Sequence, residues 1–134
     1  MDATQARQLY EQCLNTLYIE RDLERMKDFY CDDVISHPLP PGMPSGLPGV
    51  RAMTQAWLES FSDLAYELEN FTHEQGHVSA RLVVSGRHTG PFMGIAPTGR
   101  RITIVDSPRY RFENGKIAEL WYSPDIPGLM QQLG

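Results

Sequence analysis

The stretch NGKIAELWYSPD, residues 114–125, decides the fold. Asn-Gly suits a type I′ turn, whose central pair needs positive φ. Such a turn sets Glu113 opposite Lys116 and Phe112 opposite Ile117, and opposed residues share a face of the sheet. Carried outward unbroken, the register pairs Tyr110 with Glu119, Pro108 with Trp121 and Asp106 with Ser123. One face then holds Ile102, Ile104, Asp106, Tyr110, Phe112, Ile117 and Trp121. The other holds Thr103, Val105, Arg109, Arg111, Ala118, Leu120 and Tyr122. The first is the more apolar and is expected to face the core. A bulge, for instance at Pro108, would reverse every side chain beyond it. Pro124 ends the strand and leaves Asp125 at the rim of the sheet. Asp125 then reads as the N-cap of a short helix over 126–133, as a carboxylate with raised pKa beside an apolar face, or as both.

Upstream, residues 4–19 read as a helix, with rows Leu9, Cys13, Leu17 and Tyr10, Leu14, Tyr18 forming a broad apolar stripe. Asp2 or Thr4 is placed to cap it. A second, short helix is expected over 22–30, capped by Asp22, and a short strand over 33–37 ending at His37. Residues 38–49 hold five prolines and three glycines in twelve positions, which predicts a loop. A third helix, 50–61, presents Val50, Met53 and Trp57 on one face. Strands follow over 64–71, 78–88 and 100–112, the second placing His88 at the end of an apolar row. Residues 89–99 form a loop carrying Phe92 and Met93. Helices first and an antiparallel meander after is an α+β layout, here one domain over 1–134.

Composition narrows the function. Hydrophobic residues make up 41% and charged residues 22%, an ordinary globular balance. The net charge of −5 and the lack of a basic run argue against nucleic acid and anionic membranes. Cys13 and Cys31 are too few for a disulfide scaffold, and the polar start MDATQARQ has no secretory h-region, so a cytoplasmic setting is expected. No apolar run reaches the length of a membrane span. No phosphate loop, nucleophile elbow or metal motif occurs, and His73 and His77 flank a turn at Gly76, so neither metal nor cofactor is expected. What remains is a set of ionisable groups at strand ends: His37, His88, Asp106 and Asp125. Asp106 interrupts an apolar row, and a buried carboxylate must be paired or protonated.

The segments FYCDDVISH, GRHTGPFMGIAPTGR and NGKIAELWYSPD resemble those of the SnoaL-like polyketide cyclases of the nuclear transport factor 2-like superfamily. The likeness runs over nearly the whole chain in the same element order. It implies a cone-shaped α+β barrel, a curved antiparallel sheet wrapped by three N-terminal helices around a deep apolar pocket. It also implies that Asp125, matching the aspartate after E-x-W, is the acid/base catalyst. His37 and His88 match polar pocket positions. The expected activity is a cofactor-free aldol-type cyclisation of an apolar, carbonyl-bearing molecule. Asp125, His88 and His37 would be catalytic, and Tyr18, Trp57, Phe92, Asp106 and Trp121 would bind substrate. A non-catalytic small-ligand binder and an epoxide hydrolase or isomerase are the alternatives. The second sheet face, with Val83, Val105, Leu120 and Tyr122 and no helix left to cover it, suits a homodimer interface.

Overall fold

The computed structural model describes residues 2–134. Helix α1, Ala3–Leu14, begins at a capping box: the Asp2 carboxylate accepts the Gln5 N–H at 2.8 Å, and the Gln5 side chain accepts the Asp2 N–H at 3.0 Å. Its last turn widens into a π-helical segment, Asn15–Ile19, which continues the buried stripe of Tyr10, Cys13, Leu14 and Leu17. The expected second helix is a 3-10 segment, Leu23–Asp28, anchored by buried Met26; the Asp22 side chain makes no capping bond. Tyr30 belongs instead to strand β1, Tyr30–His37. Helix α2, Leu47–Ser60, starts inside the expected loop, because Pro48 falls in its first turn, where no N–H is needed.

Five more strands follow: β2 Phe61–Glu74, β3 His77–His88, β4 Arg101–Asp106, β5 Arg109–Glu113 and β6 Lys116–Trp121, then α3, Ile126–Leu133. The sheet runs β1-β6-β5-β3-β2, with β4 also beside β3. It is curved and open, not a closed barrel, since β1 and β2 end the path without pairing. Nor is it wholly antiparallel: β1 runs parallel to β6, a pairing that needs the long crossover through α2 and the other strands. Gln132 of α3 bonds both the N–H and the carbonyl of Thr103 at 2.8 Å, covering part of the outer edge of β4.

The expected strand over 100–112 is two strands, β4 and β5, in one register on β3: Leu82 pairs with Asp106 and Ser79 with Arg109. Between them Pro108 has no N–H to give, though its carbonyl accepts the Ala80 N–H at 3.1 Å. The alternation survives, so Ile102, Ile104, Asp106 and Tyr110 share the inner face as predicted. At the hairpin, Asn114 (φ 52°) and Gly115 (φ 77°) make the expected turn, with Glu113 opposite Lys116 and Phe112 opposite Ile117. The register then shifts: Arg111 opposes Glu119, Tyr110 opposes Leu120 and Arg109 opposes Trp121. Ala118 is the extra residue, so the bulge lies there and not at Pro108. It turns Leu120 and Tyr122 inward and Trp121 outward, reversing the face expected for each. Leu120 is fully buried.

A similar irregularity shapes β2. Ser62 pairs with Arg87 but Ala65 with Ser85, leaving an extra residue beside Asp63, which adopts φ 51°. Phe61 and Leu64 are both buried as a result, and Tyr66 pairs with inward-facing Val84. The core thus sits between the concave sheet face and the helices α1 and α2, around Tyr10, Leu17, Phe61, Leu82, Ile102 and Leu120.

Candidate active site

A cavity of about 560 Å³ opens on the concave face, within the range of small-molecule sites. Leu14 and Tyr18 line it from the first helix, Met53, Thr54 and Trp57 from α2, and Tyr66, Leu82, Val84 and Ile104 from the sheet. Pro38, Pro40, Phe92 and Met93 come from the two proline- and glycine-rich loops, and Met93, 67% exposed, marks the rim. Phe92 and Ile95 close the second loop into a tight turn, each N–H bonded to the other's carbonyl.

Of the chain's six tyrosines, Tyr10, Tyr30 and Tyr110 are buried and Tyr18, Tyr66 and Tyr122 are half-buried. Tyr18, Tyr66, Tyr110 and Tyr122 reach the cavity wall. Burial raises the pKa of each, so they stay neutral phenols. Among the described residues no Lys, Arg or His lines the cavity, and the carboxylate among the lining residues is Asp106. Desolvation raises the Asp106 pKa; backbone N–H groups of Ser123 and Ser107 oppose the shift. Asp106 sits at the end of β4, and its backbone bridges to Pro124 where the chain leaves β6.

Tyr18, Trp57, Phe92 and Asp106 therefore stand where the sequence reading put them. The other expected site residues do not line the cavity. Asp125 is exposed, and its carboxylate accepts the Gly128 N–H at 3.1 Å as the N-cap of α3. A side chain at Gly128 would collide with that carboxylate. Of the two readings of Asp125, the structure shows the cap. Its neighbours Pro124 and Ile126 line the cavity, but Asp125 does not.

His37 faces outward, because parallel pairing sets it beside Trp121, which the Ala118 bulge has turned out. Its ring stacks on Trp121 at 5.2 Å, and its Nε2 pairs with Glu119 at 2.8 Å. The Arg109 guanidinium covers the same indole at 5.1 Å. Glu119 is held below the usual carboxylate range, first by His37 and then by Arg111. Trp121 is thus part of an outer-face cluster and not a pocket wall.

His88 ends the inner row of β3 and is fully buried, as its alternation predicted. It sits against Phe61, ring centres 5.5 Å apart, and does not reach the cavity lining. Its Nδ1 accepts the Thr98 N–H at 3.1 Å. With Nδ1 accepting, the ring proton is on Nε2, which is buried with no hydrogen-bond partner among the described residues.

Tyr66 and Tyr122 were missed. The Leu64, Tyr66, Leu68 row was a usable signal for the first; no sequence signal reveals the bulge that turns the second inward.

A curved open sheet with helices on its concave side and a deep, mostly apolar cavity defines a small-molecule pocket of the nuclear transport factor 2-like kind. The SnoaL-like polyketide cyclase family model matches residues 4–133, and the chain belongs to that family. Over 89 residues it is 38% identical to aklanonic acid methyl ester cyclase AcmA of Streptomyces galilaeus, a match covering 65% of this chain and 62% of AcmA. It is 37% identical over 90 residues to nogalonic acid methyl ester cyclase of Streptomyces nogalater, covering 64% and 67%. The match thus spans about two thirds or less of these relatives. TsrD from Streptomyces laurentii superposes with a TM-score of 0.90 at 30% identity, covering 100% of this chain and 98% of TsrD.

Proposed function

We propose that this chain closes a ring on an apolar, carbonyl-bearing polyketide by intramolecular aldol-type chemistry, with Asp106 as general base. The observation that carries this reading is a single carboxylate, raised by desolvation, in a cavity wall of apolar groups and neutral phenols. A base must be within reach of the carbon acid, and burial moves the Asp106 pKa upward, the direction that strengthens it as a base. Asp106 takes the proton from a carbon α to a carbonyl. The enolate carbon attacks a second carbonyl of the same molecule, and the new oxyanion takes up a proton as Asp106 gives up its own. Substrate and product are then isomers, and no metal or cofactor enters the scheme. The cavity's part is orientation, which turns a loose encounter into a near-attack geometry.

Asp125, assigned by resemblance, caps α3 and does not line the cavity, so Asp106 takes its place in this scheme. The relatives' names support a polyketide substrate. AcmA's own substrate, aklanonic acid methyl ester, is the first to try. Purified wild type should convert it, and Asp106→Asn should lose roughly a hundredfold or more in rate. Conversion by Asp106→Asn at the wild-type rate would remove Asp106 from the mechanism. Saturable binding with no conversion by either protein would favour a ligand-binding role for the same cavity.

A further inference from the structure

We infer that Tyr66 is a further catalytic residue, the hydrogen-bond donor to the carbonyl oxygen that becomes the oxyanion, and that Trp57 positions it. This rests on the cavity being the reaction site, as proposed above.

Trp57 Nε1 lies 3.0 Å from the Tyr66 hydroxyl oxygen. An indole N–H can only donate, so the direction of this bond is unambiguous and the phenol proton stays free for another acceptor. At the phenol pair Tyr10 and Tyr110, 3.2 Å apart, either hydroxyl can by contrast be the donor. Accepting a bond also polarises the Tyr66 O–H and strengthens it as a donor. Burial keeps the group a neutral phenol.

The pair is held rigidly. The Tyr18 ring packs on Tyr66 at 5.0 Å, and Trp57 is wedged against Phe61 at 4.5 Å and edge-on to Phe92 at 6.0 Å. A preorganised donor costs no reorganisation when charge develops. Its placement relative to the base suits the reaction. Tyr66 pairs with Val84, and Val84 with Ile104; Asp106 is the next inward position on β4. Donor and base thus share the concave face two strands apart and two residues offset, roughly 12 Å between backbones at ordinary strand geometry. Both side chains line the same cavity, so a substrate folded with its carbon acid against its acceptor carbonyl can meet both groups.

The test uses an infrared probe together with turnover. A flat aromatic ketone, 9-fluorenone, is bound to wild type and its carbonyl stretch recorded. A donor at the carbonyl lowers that frequency. In Tyr66→Phe the band should move back toward its position in an apolar solvent, and in Trp57→Phe it should move part of the way. Tyr18→Phe and Tyr122→Phe should leave it in place. With the ester substrate, Tyr66→Phe should lower kcat roughly a hundredfold with KM nearly unchanged, the scale of one lost oxyanion donor. Trp57→Phe should lose less, and the double variant no more than Tyr66→Phe alone. An unmoved carbonyl band in Tyr66→Phe would overturn the assignment while leaving the Asp106 reading intact. Failure of wild type to bind the ketone would instead count against the cavity as the reaction site, and so against both.

Discussion

The Asp106 carboxylate accepts the backbone N–H of Ser123 at 3.2 Å, tying the end of β4 to the end of β6 beside the cavity. That bond favours the charged form, yet desolvation outweighs it and the pKa is raised. Because the folded state binds the proton more tightly than the unfolded chain, Asp106 contributes stability at low pH that is lost as pH rises from the unfolded value, about 3.9, through the folded one. Asp106→Asn keeps an acceptor for Ser123 and removes the buried charge. Its melting temperature at pH 7 should equal or exceed that of wild type, with the difference vanishing below about pH 4. The rate should show the opposite dependence, since a base works deprotonated. The wild-type kcat/KM should rise with pH through a pKa above the ordinary aspartate value. A less stable Asp106→Asn at pH 7 would mean that the carboxylate is a structural anchor.

Asp125 offers the contrasting case. Its carboxylate holds the Gly128 N–H at the start of α3. Asp125→Ala should cost about 1 kcal/mol of stability and Asp125→Asn almost nothing, because asparagine caps as well as aspartate. Chemical denaturation of both variants checks this. Turnover by Asp125→Asn should match wild type; a large loss would restore the catalytic role that resemblance gave this residue.

His37 and Trp121 stack on the outer face of the sheet. His37→Ala and Trp121→Ala should leave ligand affinity of the cavity unchanged when measured by fluorescence or calorimetry. The same face carries half-buried Val83 and Val105, and exposed Ile35. Leu120 and Tyr122, expected on this face, point inward instead; we propose the residues that remain as the contact for a second copy of the chain. Light scattering at micromolar concentration should give a dimer, and a monomer would refute that reading.

The cavity walls hold no cationic side chain and one carboxylate. A ligand with a free carboxylate would be desolvated there without a cationic partner and would face Asp106. An esterified polyketide should therefore bind at least tenfold more tightly than its free acid at neutral pH, a gap of about 1.4 kcal/mol. Equal affinities by calorimetry would show that the carboxylate stays outside the cavity.

Sequence alone determined the α+β layout, the Asn114–Gly115 turn with its first two pairs, and the apolar rows of α1, β3 and β4. Turn chemistry and hydrophobic period are local, so these need no knowledge of distant neighbours. It also placed Tyr18, Trp57, Phe92 and Asp106 at the cavity and offered the cap reading of Asp125. Only the tertiary structure decided which way β6 faces beyond Ala118, and with it the exchange of Tyr122 for Trp121 at the cavity. Alternation has a period of two, so one unpaired residue reverses all that follows. Whether β6 bulges depends on how β5 and β1 pack against it across the sheet, not on the residues of β6 alone. The same holds for His37, whose outward direction follows from parallel pairing with a strand some 80 residues away in the chain.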